Sequence, residues 1–207
     1  MTSLTAADLI PYAEYERVRQ AFRQQVIALK QRRRLSVGPR ITLLFENRRT
    51  LQFQVQEMIR AERIVYPVKV QDELDVYNHL LPAPGELSAT LFIEITDEAD
   101  IKAELDAFQG IDRGETVAIQ VGSERTFGLF EGGHSQEDKI SAVHFVRFRI
   151  PRVWASLLAS DSEPVSLVVQ HGVYRAAVAV PPAMRAEWLA DLSDQGPLDS
   201  RPLDSRP

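Results

Sequence analysis

Between Phe45 and Arg63 the chain reads FENRRTLQFQVQEMIRAER, where carboxylates, guanidinium groups and amides outnumber apolar side chains. Glu46, Glu57 and Glu62 are groups that can move protons, and Arg60 and Arg63 are groups that can hold a carboxylate or phosphate. Gln56, with Gln52 one turn before it, adds neutral donors and acceptors on one stripe. On a helix Glu57 and Arg60 fall three apart and can pair. Two carboxylates and two guanidinium groups, Glu57, Glu62, Arg60 and Arg63, cancel in charge. That balance suits an internal ion-pair network fixing this helix to the sheet better than a metal cage, which needs uncompensated carboxylates. The sharper alternative is a polar pocket in which Arg60 or Arg63 holds an anion while Glu57 or Glu62 handles a proton.

Two further residues belong to that alternative. Glu94 sits on the Thr90–Phe92–Glu94 side of an alternating strand, and a carboxylate covered there must find a partner or take up a proton. An arginine of the 48–63 helix is the expected partner, and Glu46 could join them, two carboxylates in one pocket being the arrangement acid–base chemistry uses. His144, in SAVHFVRFRI, shares its face with Ala142, Val146, Phe148 and Ile150; a core histidine is the commoner outcome there than a ligand or base. No histidine pair has HExxH or HxH spacing. Phosphate-loop, dinucleotide-binding and nucleophile-elbow patterns are missing as well. No cofactor and no metal is predicted.

Composition narrows the classes. The chain has 207 residues and a net charge of -5, so no global basic field draws nucleic acid or an anionic membrane. Cysteine is absent, which removes disulfides, thiolate catalysis and cysteine-ligated clusters. No apolar run is long enough to span a membrane, and MTSLTAADLIPYAEY has no signal-peptide pattern, so a cytoplasmic location is expected. The run Lys30, Arg32, Arg33, Arg34 suits the negative end of a helix dipole. A nucleic-acid contact through Arg32 to Arg34 is the rival reading, weakened by the acidic balance and the lack of neighbouring aromatics.

The elements that must position these groups follow from periodicity. Tyr15, Val18, Phe22, Val26 and Leu29 predict a helix from Tyr12 to about Arg34. Gly38-Pro39 breaks the chain before a first strand, Ile41 to Glu46. Residues 50–56 alternate like a strand, but Leu51, Val55, Met58 and Ile59 fit a helix and Asn47 is a good cap, so a helix from about Arg48 to Val65 is preferred. A second helix follows over Val70 to Leu80, then a strand over Leu87 to Ile95 and a helix from Asp97 through Phe108. Hairpins are predicted around Gly122-Ser123 and His171-Gly172, with a strand from Ser141 to Ile150 between them. Pro151 opens a helix through Leu158, and a last helix runs from about Pro182 to Leu192. The expected architecture is α+β, a largely antiparallel sheet of about six or seven strands with N-terminal helices packed on one face. One domain spans residues 1–192; residues 193–207, with LDSRP twice in tandem, read as a disordered tail.

YERVRQAFRQQVIALKQRRR, GPRITLLFENRRTLQFQVQEMIRAERI, ELDVYNHLLPAPGELSATLFIEI and SAVHFVRF together resemble the bacterial family called domain of unknown function 3501, over about Leu4 to Leu192. The resemblance implies no activity. Members of the family tend to be encoded beside a rubrerythrin-like protein and an iron–sulfur oxidoreductase, which implies a role in peroxide or redox stress with such a protein as partner. The first expectation is therefore an accessory protein that docks onto a redox partner through its helical N-terminal half or the polar surface near Glu57 to Arg63. The alternative is an enzyme or small-ligand protein gathering Glu46, Glu57, Arg60, Glu62, Glu94 and His144 in one pocket. Oligomeric state is not legible in the sequence.

Overall fold

Tyr15, Phe22 and Val26 are buried along one side of α1 (Tyr12–Arg33), as their spacing requires. A computed structural model describes residues 2–95, 101–132, 140–160 and 162–194. Arg34 turns extended where α1 stops, and β1 (Arg34–Val37) pairs antiparallel with β2 (Ile41–Glu46) across Gly38 and Pro39. Then come α2 (Arg48–Ala61), α3 (Pro67–Asn78), β3 (Glu86–Ile93) and α4 (Ile101–Ala107). The rest is β4 (Val117–Val121), β5 (Glu124–Phe130), β6 (Val143–Arg149), α5 (Trp154–Ala159), β7 (Val165–His171), β8 (Tyr174–Ala179) and α6 (Pro182–Asp194).

The strands form one sheet of eight in the order β1-β2-β3-β6-β5-β4-β7-β8, and every pairing is antiparallel. The count exceeds the expected six or seven because β1 starts on Arg34, the last residue of the basic run, which reads as the end of α1. Alternation gives the sheet two faces. Phe45, Leu91, Val146, Phe148, Ile119 and Leu167 line the inner one, and Trp154 of α5 and Met184 and Trp188 of α6 complete that core. Over β2, β3 and β6 the outer face is covered from α2 and α3, with Leu51, Val55, Ile59 and Leu74 packed near Phe145. The N-terminal helices thus lie on one face as expected. The terminal helix belongs to the other, where Trp188 meets Phe45 with ring centroids 4.6 Å apart.

Helix wins over strand at residues 50–56 for a local reason. The Asn47 side chain accepts from the backbone of Arg49 and Thr50, and the Thr50 hydroxyl accepts from the Asn47 N–H. Leu51, Val55 and Ile59 then recur every four residues on the buried side. The helix ends at Ala61, short of the expected Val65. The Ile64 N–H bonds Ile59 O, the Arg63 N–H bonds Arg60 O, and Arg63 takes a left-handed φ of 53°, the pattern glycine usually serves. Pro67, expected to lie between helices, instead opens α3 at a position that needs no N–H donor. The expected cap Asp97 and the repeat-bearing tail from residue 195 onward lie outside the described residues.

The sheet curls until its ends meet through one side chain. Tyr174 of β8 donates its hydroxyl to Val37 O of β1 at 2.5 Å and accepts from the Arg40 N–H at 3.3 Å. Gly38 makes the approach feasible: its φ is +75°, and a Cβ there would sit 2.5 Å from the Tyr174 oxygen. Gly38→Ala therefore meets both backbone strain and a clash, and should lower stability in urea unfolding by about 2 kcal/mol; Gly172→Ala, with positive φ but open space around it, should cost less.

Candidate functional site

The carboxylate of Glu46 leaves the end of β2 on the face covered by α2. It is 2% exposed and accepts hydroxyls from Thr50 at 2.5 Å and Thr90 at 3.0 Å. Among the described residues it forms no ion pair. Gln56, also buried, accepts from Ile10 N and donates to Ile10 O, while Gln52 donates to Asp8 O. The amide stripe of α2 thus clamps the extended segment that leads into α1.

The expected Glu57–Arg60 pair is replaced by two pairs with α1. Glu57 accepts from the Tyr15 hydroxyl at 2.6 Å and from Arg19 Nε and Nη2 at 2.8 and 2.6 Å, and Arg60 pairs with Glu16 at 2.6 Å. Arg19 on the neighbouring helix meets Glu57 with both Nε and Nη2, the bidentate geometry that makes arginine–carboxylate pairs strong. The network fixes α2 to α1, where the sequence pointed to the sheet. The Arg19 guanidinium holds the Glu57 carboxyl below its usual value, against the upward push of burial. Burial, then the bond to Glu57, pushes the Tyr15 phenol up.

Glu62 and Arg63 are exposed at the end of α2, Glu62 as its C-cap and Arg63 as the left-handed residue that terminates it. Glu94 is paired by Arg34 of β1, not by an arginine of α2, and also accepts from Thr42 Oγ1 at 3.0 Å. Thr42 and Glu46 lie four residues apart on β2, about 13 Å of strand. Glu94 and Glu46 therefore mark opposite ends of one face. His144 is 1% exposed on the inner face opposite Leu91, with the Phe130 ring edge-on at 5.9 Å. Glu46, the Glu57–Arg60 group, Glu94 and His144 thus occupy four separate surroundings. Among the described residues no three His, Asp or Glu side chains are grouped to hold a metal ion.

The most buried ionic cluster lies elsewhere and was missed. Arg33 is 0% exposed at the end of α1. Its Nε donates to Phe45 O at 2.8 Å, Nη1 to Glu187 at 3.1 Å, and Nη2 to Asp191 and to Glu46 O. Arg32 joins from the surface through Glu187 at 2.7 Å. Burial pushes the Asp191 carboxyl up, and Arg33 only partly offsets it. Glu187 and Asp191 stand one helical turn apart on α6, the single hint in the sequence, but nothing there joined them to a run 150 residues earlier.

An eight-stranded antiparallel sheet with helices on both faces defines an α+β protein. The chain belongs to the family described as Protein of unknown function (DUF3501), whose profile matches residues 3–192. It is similar to a novel protein of unknown function from Burkholderia pseudomallei K96243, known from a crystal structure. The identity is 32% over 92% of this chain and 100% of that one, with a TM-score of 0.84. No functionally curated protein matches. No described helix is long and apolar enough to cross a membrane.

Two predictions follow from the ion pairs. Because the native Glu57 pKa lies below its ordinary 4.5, its contribution is complete above that value and is lost as pH falls through the lowered native one. Glu57→Gln should be less stable than wild type near neutrality, and in thermal melts the gap should narrow as pH falls below 4.5 and through the lowered native value. Asp191→Ala, which leaves Glu187 as the remaining carboxylate on the buried Arg33, should cost about 3 kcal/mol, whereas Arg33→Met with Asp191→Leu should cost far less.

Proposed function

We propose that this protein is a non-catalytic accessory that docks onto a redox protein through its helical N-terminal half. The observation that carries this reading is the corner between α2 and α3. Val65 and Tyr66 are each 73% exposed, Val68 is 71% exposed, and Val76, two turns along α3, is 61% exposed. Each such side chain left in water forgoes burial worth about 1.5–3 kcal/mol. A run of them, rimmed by the charges of Glu62, Arg63 and Asp72, has the composition of an interface core with a polar border. The hydrogen-bonded terminus of α2 holds the corner in place, which lowers the ordering cost of binding. The ion pairs of Glu57, Arg60 and Glu94 support the same reading, since those groups serve the scaffold.

The partner class comes from the family resemblance: a rubrerythrin-like or iron–sulfur protein acting in peroxide or redox stress. This chain has no cysteine, so a cysteine-ligated cluster would belong to the partner. Affinity isolation of the full chain from its own host under peroxide stress, read by native mass spectrometry, should yield a redox protein in stoichiometric amount. Tyr66→Ser with Val68→Ser should lose that partner without lowering Tm. Recovery of the chain with no partner, or with a bound metabolite and no protein, would overturn the proposal.

A further inference from the structure

The half of the outer sheet face formed by β4, β7 and β8 carries an open depression of about 340 Å³ whose lining includes Gln120, Arg125, Ser166, Val168, Gln170 and Arg175. Register explains the grouping. Gln120 stands opposite Arg125 on β5 and opposite Ser166 on β7, while Gln170 stands opposite Arg175 on β8. Opposed residues share a face, so two polar rows result, each ending in an arginine. They lie four residues apart along β7, about 13 Å. Between them Val168 and Ala177, opposite each other, form a small apolar floor.

Both arginines are exposed, and among the described residues neither is in an ion pair. Arg125 spends its Nε on Gln120 Oε1 at 2.8 Å, which orients the fork and leaves its terminal nitrogens to donate elsewhere. Its acidic neighbour Glu124 turns to the opposite face, where it accepts from Trp154 Nε1 at 2.9 Å. Glu163 sits at the rim, against Gly122. In a chain of net charge -5, two guanidinium groups around one dish, with no carboxylate among the described residues that line it, form a local field of the opposite sign.

We propose that this face binds a phosphorylated small molecule. Its phosphate groups are held at Arg125 and Arg175, at the two ends of the depression, with Gln120, Ser166 and Gln170 as neutral donors and the carbon skeleton resting on Val168 and Ala177. Phosphate suits a guanidinium fork better than carboxylate because its three terminal oxygens can accept from the fork and from a neighbouring amide or hydroxyl at once. The depression is independent of the α2–α3 corner, so the two proposals stand or fall separately.

The test is titration of the isotope-labelled full chain with inorganic phosphate, pyrophosphate, citrate and a short single-stranded oligonucleotide, followed by amide NMR. Phosphate and pyrophosphate should give saturable shifts at Gln120, Arg125, Ser166, Gln170 and Arg175, with pyrophosphate the tighter. Arg125→Gln and Arg175→Gln should each weaken pyrophosphate about tenfold or more, and Arg23→Gln on α1 should change nothing. Should a Gln variant fail to fold, Arg125→Lys and Arg175→Lys keep the charge, lose the fork and must still weaken binding. Overturning results are shifts that do not saturate, variants that bind like wild type, citrate binding as well as pyrophosphate, or preference for the oligonucleotide.

Discussion

A buried guanidinium tolerates almost no error in its surroundings, and Arg33 is where this fold meets that constraint. Removing an arginine from water costs several kcal/mol unless its donors are matched. Here they are met by two backbone carbonyls, Phe45 O and Glu46 O, and two carboxylates, Glu187 and Asp191. The carbonyls belong to the last residues of β2, where the chain leaves the sheet to enter α2, and Asn47, the cap of α2, donates to Asp191 as well. One side chain therefore fixes the end of α1, the exit of β2, the start of α2 and the position of α6. Trp188, one turn before Asp191 on α6, reaches Phe45 because that anchor is in place. The core and the cluster are two consequences of the same placement.

The covering of the sheet is uneven, and the polar residues follow from that. Over β2, β3 and β6 the outer face must accommodate helices, so Glu46, Thr50, Thr90 and Gln56 are buried there and bond to one another or to backbone. Arg147 on β6 stands at the boundary, donating to Leu81 O and pairing with Glu131 and Glu86. Its neighbour across the ladder is Leu129, 59% exposed. From there the outer face passes to the arginine-bearing rows of β4, β7 and β8.

Much of the architecture was legible because it rests on local periodicity. The spacing of Tyr15, Phe22 and Val26 gave α1, the alternation around Leu91 and Val146 gave two central strands, and glycine-centred turns gave both hairpins. Asn47 decided the ambiguous stretch at residues 50–56, since its side chain satisfies two backbone donors of the first helical turn through purely local contacts. The first strand was hidden because Arg34, half of a surface ion pair, resembles the helical arginines before it. Tyr66 and Val68 were passed over because single apolar residues beside a proline carry no periodic signal.

The polar groups were found but not their partners, for a reason rooted in reach. Along a helix, sequence offers only partners three or four residues away, and such exposed pairs contribute about 0.2–0.5 kcal/mol. A second helix packed alongside offers partners at any sequence separation, and Glu57 takes two donors of α1 in place of Arg60. The same logic applies to the arginines. Arg33 is one of four cations in a run, and local reasoning assigned the run as a whole to the helix dipole. Its members in fact diverge: Arg32 pairs at the surface, Arg33 is sealed in the core, and Arg34 points along the sheet to Glu94. A charge is therefore informative about function once its partner is known. Where the scaffold supplies a counter-charge, as for Arg33, the charge explains the fold; where none stands among the described residues, as for Arg125 and Arg175, the charge faces outward and the fold does not account for it.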